Sequence, residues 1–156
     1  MIALRRALAE DSPVIQSMMA VYLAEISAPP DYPYLPLYWT DERRYPYVIA
    51  DVGTDIGFAL VRSLVEREAV ELAEFFIMSS HRNRGAGRTA VGLVMAQHQG
   101  PWEIYANPNR PSAVAFWTAV LPPLTERFDD VASGRVGFRV VKTMWGEPHQ
   151  PRCRLP

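Results

Sequence analysis

Ser80-His81-Arg82-Asn83-Arg84-Gly85-Ala86-Gly87-Arg88 is the stretch on which the reading of this chain turns. It follows an apolar run, residues 70–78, that closes on Phe75, Phe76, Ile77 and Met78, as central strands do. It opens a helix, because Gly87, Ala90, Val91, Val94 and Met95 recur at helical spacing. Glycines at such a junction let backbone approach a ligand closely. Unbonded N–H groups at a helix start, with the helix dipole, attract phosphate. Three arginines stand within seven residues here, and no Asp or Glu occurs across the 28 residues from Phe75 to Trp102. The physical reading is a phosphate or pyrophosphate cradle; a solvated arginine-rich turn fits the same residues.

Two familiar phosphate patterns fail. The nucleotide-hydrolase loop needs Gly-x4-Gly-Lys-Ser/Thr, and this segment has no lysine. The run Gly85-Ala86-Gly87-Arg88-Thr89-Ala90 satisfies the loose dinucleotide fingerprint, but six polar residues separate it from its strand, where that fold needs an immediate turn. Only 66 residues follow Ala90, too few to complete a doubly wound sheet and a substrate domain.

Outward from this point the chain reads as alternating strands and helices. Residues 2–8 suit a first strand. Ser12 is placed as the cap of a helix with Pro13 in its first turn, and Val14, Ile15, Met18, Met19, Tyr22 and Leu23 form its buried face. Residues 27–46 are rich in proline and aromatics and read as a structured loop with a short helix. A hairpin follows, strands 47–50 and 56–61 around a turn containing Gly53. After the helix opened at 85–87, which stops at Gly100 and Pro101, come a strand at 102–106, a helix at 111–121 and two strands near 124–128 and 136–145. This is an α+β chain with a mixed sheet. Residues 1–146 read as one domain and 147–156 as an irregular tail.

Composition narrows the class. The chain has 156 residues, 49% of them apolar, and a formal net charge of -1. That length favours a single domain able to bury its own core. One cysteine, Cys153, excludes a disulfide framework or thiolate metal cluster. The mild charge argues against a general nucleic-acid binder. Of 16 basic residues, 15 are Arg and one, Lys142, is Lys. No basic start is followed by an apolar run of secretory length, and no stretch reaches the roughly 20 apolar residues of a membrane span. The expected setting is cytoplasmic, with no membrane partner.

Arg82-x-x-Gly85-x-Gly87 resembles the acetyl-CoA motif of the GCN5-related N-acetyltransferases, the GNAT family. The element order matches that family across most of the chain. The segments Ala73-Glu74-Phe75-Phe76-Ile77, Trp102-Glu103-Ile104 and Ala113-x-x-Phe116-Trp117 resemble small bacterial predicted acetyltransferases. The resemblance implies a mostly antiparallel mixed sheet with flanking helices and two parallel strands that splay apart, here 70–78 and 102–106. It implies acetyl-CoA as co-substrate, no metal, and direct transfer to a primary amine of a small molecule or peptide; a homodimer is compatible with it. The backbone at Phe75, Phe76 and Ile77 would line the pantetheine arm. The backbone of Asn83, Arg84, Gly85, Ala86, Gly87 and Arg88 would carry the pyrophosphate, with Arg82, Arg84 and Arg88 as charged support.

The acceptor amine must be neutral to attack, so a base is needed. Glu71, Glu74 and Glu103 stand on the two strands, and Glu74 and Glu103 are the candidates. Three residues apart, Glu71 and Glu74 face opposite sides of a regular strand, although the family often bulges it. The family's acid is a tyrosine where this chain has Trp117, whose indole donates a hydrogen bond but is no useful acid. Trp117 would then shape the pantetheine channel. The family's asparagine position holds Arg110, with Asn109 one residue away; either the turn carries an extra residue or the contact is lost. The loop carrying Tyr32, Tyr34, Tyr38, Trp39, Asp31, Asp41 and Glu42 suits a cationic amine and equally suits a packed lid. A different class of function, an acyl-CoA-binding sensor without turnover, also fits a chain lacking that tyrosine.

Overall fold

The computed structural model describes residues 1–141. Its strands are β1 (Ile2–Arg6), β2 (Arg44–Asp51), β3 (Thr54–Leu64), β4 (Ala69–Ile77), β5 (Trp102–Ala106), β6 (Glu126–Asp130) and β7 (Arg135–Val140). Its helices are α1 (Ser12–Glu25), α2 (Ala86–Met95) and α3 (Pro111–Val120). The strands form one mixed sheet in the order β1-β2-β3-β4-β5-β7-β6. Among the described residues every neighbouring pair is antiparallel except β4 and β5.

The two faces of the sheet are covered differently. One receives α2 and α3 and holds Ile49, Val61, Leu72, Trp102, Ile104 and Phe138 against Ala90, Val94 and Trp117. The other receives α1 and the 3-10 turn Leu35–Trp39, which pack Ile15, Met19, Leu23, Leu35 and Tyr38 on Val48, Phe58, Leu60 and Phe76. That second cover lies on β2, β3 and β4, leaving the β5 and β7 half of this face without a helix among the described residues. Burying about 2 kcal/mol worth of apolar side chain at each of these positions is what orders both layers.

Local chemistry fixes the details. The β2–β3 turn has only Val52 and Gly53 at its tip, both with positive φ (46° and 81°), so it is tighter than the turn expected and the strands run longer. Ser12 is the first residue of α1 rather than its cap. The preceding Asp11 occupies the cap position, and its carboxylate accepts the Leu8 N–H at 2.9 Å, closing the turn before the helix. Gly57 is required by close approach, since a Cβ there would meet the Phe76 carbonyl oxygen at 2.1 Å. The expected strand at 136–145 is observed to Val140; the end of that expectation and the tail at 147–156 lie outside the described residues.

Candidate active site

β4 and β5 share only two rungs, Val70 opposite Trp102 and Glu71 opposite Glu103. Beyond them the strands diverge. β4 continues to Ile77 paired only with β3, so the edge it turns toward β5 carries backbone N–H and C=O groups with no strand partner. The divergence coincides with a bulge. Leu60 opposes Glu74 while Val61 opposes Leu72, so Ala73 is an extra residue in β4. A regular strand would send Glu71 and Glu74 to opposite faces; the inserted residue puts both on the face of α1. The alternation argument made from spacing alone is therefore corrected by the bulge.

Glu74 stands at the start of the gap. The Tyr22 hydroxyl of α1 donates to its Oε2 at 2.7 Å. Burial holds its pKa above the ordinary carboxylate value. The Tyr22 and Tyr32 hydroxyls oppose that rise by stabilising the charged form, and the nearby Glu71 charge adds to it. Tyr38, buried beneath the same loop, has its pKa pushed up to about 12 by burial, partly offset by Arg44, whose guanidinium stacks 5.3 Å from its ring centre. The aromatic loop is thus a packed lid that sends Tyr32 toward Glu74. Of its acids, Asp41 pairs with Arg43 and Arg44 of the same loop, and Asp31 and Glu42 are not buried.

Glu103 is placed otherwise. Its side chain is 0% exposed, and its Oε1 lies 2.8 Å from Arg67 and 2.9 Å from Arg139. Tyr105 donates to its Oε2 at 3.2 Å. Glu71 is paired with Arg62. The Glu103 carboxylate is thus held by two guanidiniums and a phenol. Of the two candidates, Glu103 is held in two ion pairs and Glu74 accepts from the Tyr22 hydroxyl.

At the other end of the gap lies the glycine-turned segment that opens α2. Asn83 and Gly85, on either side of Arg84, both take left-handed backbone (φ 62° and 81°). Gly85 is the cap position of α2 with no side chain bonded to the first turn, and the first helical bond reaches it only from Thr89. The amides of Ala86, Gly87 and Arg88 are thus without helical partners. Gly87 has a second reason to be glycine: a Cβ would come within 3.0 Å of the Phe116 ring.

The three arginines divide. Arg82 bonds the Ile77 carbonyl at 2.7 Å, pairs with Glu25 at 2.6 Å and lies over the Phe76 ring, so it ties β4 to the end of α1. The acid-free stretch of sequence is therefore not acid-free in space. Arg88 donates to the Ala119 carbonyl in the last turn of α3 at 2.8 Å. Of the three, only Arg84 has no ion pair or hydrogen bond among the described residues. The three arginines expected at the cradle thus differ in their own partners, with Arg82 and Arg88 tied to the fold and Arg84 beside the loop backbone.

Phe75 and Ile77 turn to the α2 and α3 face and Phe76 to the α1 face, so these three residues offer the gap a shared backbone edge rather than a row of side chains. Trp117 is buried, with its ring 5.6 Å from Phe75 and 4.8 Å from Phe116, forming an aromatic wall between β4 and α3. Asn109 lies in the turn 107–110, its own N–H bound by the Asn107 side chain, while Arg110 is the cap residue before α3. Arg110 is near enough to Tyr22 to act on its ionisation, a proximity no spacing in the sequence reveals.

A mixed sheet whose one parallel pair splays beside a bulged strand, above a helix start with left-handed glycine, defines the N-acetyltransferase fold. A model of the acetyltransferase (GNAT) family matches residues 9–120, and the chain belongs to that family. Among solved structures, an acetyltransferase from Thermus thermophilus is 19% identical, covers 90% of this chain and 96% of its own, and superposes with a TM-score of 0.74. A GNAT-family acetyltransferase from Staphylococcus aureus is 13% identical over 91% of this chain and 100% of its own, with a TM-score of 0.70. An aminoglycoside acetyltransferase from an uncultured soil metagenomic sample, in complex with sisomicin, is 14% identical over 81% and 91%, with a TM-score of 0.62. At these identities the likeness is one of fold. No curated protein matches the chain. No helix of the described residues is long and apolar enough to cross a membrane, and no group of three or more His, Cys, Asp or Glu is clustered there as metal ligands would be.

Proposed function

We propose that this protein is an acetyl-CoA-dependent N-acetyltransferase acting on a primary amine, with Glu74 as the base. The observation that carries the reading is the coincidence of three features at one point. The β4–β5 pairing ends after Glu71 and Glu103, the bulge falls at Ala73, and Glu74 follows on the face opposite α2 and α3. The cradle fits acetyl-CoA: an unpaired strand edge for the amide-bearing pantetheine arm, and unbonded amides at Ala86, Gly87 and Arg88 with Arg84 beside them for the pyrophosphate.

Acetyl-CoA supplies an activated thioester carbonyl. The neutral acceptor nitrogen attacks the carbonyl carbon, the C–N bond forms and the C–S bond breaks. Glu74 takes the amine proton, directly or through one water, and the thiolate leaves to be protonated from solvent. Because Glu74 shares the α1 face with Tyr22 and Tyr32, the acceptor approaches from that face and the thioester from the α2 and α3 side. Direct transfer without a metal, in a cytoplasmic setting, belongs to the same proposal. Trp117 in place of a phenol favours one rival, an acyl-CoA sensor without turnover.

Thermal denaturation with acetyl-CoA, then release of CoA thiol across an amine panel, tests the reading. Stabilisation at saturating acetyl-CoA with amine-dependent thiol release is expected. Stabilisation without release from any amine selects the sensor, and no stabilisation removes the cradle.

A further inference from the structure

One register row crosses six strands of the sheet: Arg44, Arg62, Glu71, Glu103, Arg139 and Glu126. All six share the α1 face, but among the described residues α1 and its lid cover this face only as far as β4. On the open half, Glu103 is sealed beneath two guanidiniums. Arg67 remains 55% exposed and Arg139 33% exposed above a carboxylate that is 0% exposed. Each arginine meets Glu103 through one nitrogen and stays partly exposed, while Glu126 and Asp130 stand opposite Arg139 and Arg135 in the register. Arg135 adds a third guanidinium 4.6 Å from the Tyr105 ring centre. Tyr105 in turn meets Phe128 edge-on at 6.0 Å, and Phe128 lies so close over Gly137 that a Cβ there would meet its ring at 2.3 Å. The result is a flat aromatic floor rimmed by Arg67, Arg139 and Arg135.

This floor adjoins Glu74. Arg135 is near enough to act on the Glu74 carboxylate, and Glu103 stands one strand across and three residues back from it. The bulge leaves Glu74 two rungs past Glu71, so with strands about 4.8 Å apart and about 3.3 Å per rung the two centres are separated by roughly 8 Å. The desolvation cost of burying Glu103 is offset by the two arginines and the Tyr105 hydroxyl. Held side by side, their planar forks match the paired oxygens of a carboxylate or phosphate.

We propose that the acceptor carries an anionic group several bonds from its amine, and that Arg67 and Arg139 hold that group while the amine meets Glu74. This rests on the acetyltransferase reading above and specifies its substrate class. An anion on the floor adds charge-assisted bonds that a simple amine lacks, which lowers KM and fixes the amine's distance from the thioester.

The test uses ω-amino carboxylates of increasing chain length, each paired with the alkylamine of equal length, and an ω-aminoalkyl phosphate series as a second arm. Initial rates of thiol release are read at saturating acetyl-CoA, with binding of acetyl-CoA measured separately by thermal shift. The expected result is kcat/KM at least tenfold higher for the anionic member, rising with spacer length, with the better arm naming carboxylate or phosphate. Arg67→Gln, which leaves Glu103 paired to Arg139, should pull the ratio toward one. Arg127→Gln, exposed on the opposite face of β6, should leave it unchanged. Alkylamines turned over as well as their anionic partners, or acetyl-CoA bound with no anionic amine acetylated, would overturn the proposal while leaving the cofactor reading intact. Failure to bind acetyl-CoA removes both.

Discussion

Glu71 and Glu103 face each other across the last rung that joins β4 to β5. Two carboxylates on adjacent strands of one face repel, and here each is clamped from its outer side, Glu71 by Arg62 of β3 and Glu103 by Arg139 of β7. The vertex of the gap is therefore a charge row that spans four strands, and the strands separate immediately past it. That arrangement gives the first prediction.

Glu103→Gln should lower stability by about 2 to 4 kcal/mol, because it strands two guanidiniums over a buried neutral group. Urea denaturation measures it. An unchanged midpoint with a rate loss of a hundredfold would instead make Glu103 the base.

Glu74→Gln should reduce kcat by about 10² to 10⁴ while acetyl-CoA affinity stays within twofold. In the parent protein the rate should rise with pH through a pKa above the ordinary 4.5, because burial favours the protonated form and only the carboxylate accepts a proton. The same shift makes the folded state hold its proton longer than the unfolded chain, so this group's contribution to stability falls as pH rises from 4.5 through that raised pKa. A pH–rate profile with the acidic limb intact in Glu74→Gln would assign the limb elsewhere.

Gly85 and Gly53 form a matched pair, both at φ 81° with no atom within 4 Å of a built Cβ. Alanine at either should cost about 1 kcal/mol through left-handed strain. Only Gly85→Ala should also weaken acetyl-CoA binding, by tenfold or more in calorimetry, because only Gly85 turns the amides of α2. Equal affinities for the two variants would separate the strain from the site.

Arg82→Ala should act on stability, not on acetyl-CoA. It removes the Glu25 pair, the Ile77 carbonyl bond and the cover over Phe76, a loss of about 1 to 3 kcal/mol for a charge-assisted anchor. Arg84→Gln should do the reverse, weakening acetyl-CoA severalfold at unchanged melting temperature. An exchange of those two phenotypes would return Arg82 to the phosphate.

His98 supplies a pH-dependent term remote from the site. Its Nε2 lies 2.7 Å from the Tyr47 hydroxyl, and its ring packs on Tyr45 and Trp102. Burial, with Arg6 nearby, lowers its pKa from 6.5 to about 4. The unfolded chain then binds a proton that the fold refuses, so this stability is present above pH 6.5 and is lost as pH falls toward 4, amounting to about 1 kcal/mol after solvent screening. His98→Gln should flatten the melting temperature across that window.

The sequence by itself determined the order of elements, because periodicity and turn residues are local. It also marked the glycine-turned junction after an apolar strand, because left-handed backbone and unbonded amides need particular residues at particular positions. Gly85 is legible for that reason, whereas the Phe116 ring that Gly87 makes room for is not. The roles of the charged residues were decided only by tertiary structure. Nothing near Arg82 in the sequence announces Glu25, 57 positions away, and nothing near Glu103 announces Arg67 and Arg139. A single unpaired residue, Ala73, chose the face on which Glu74 stands. Strand alternation is a property of the chain, but a bulge is a property of two strands in register, and a charge acquires its function from whatever the fold packs against it.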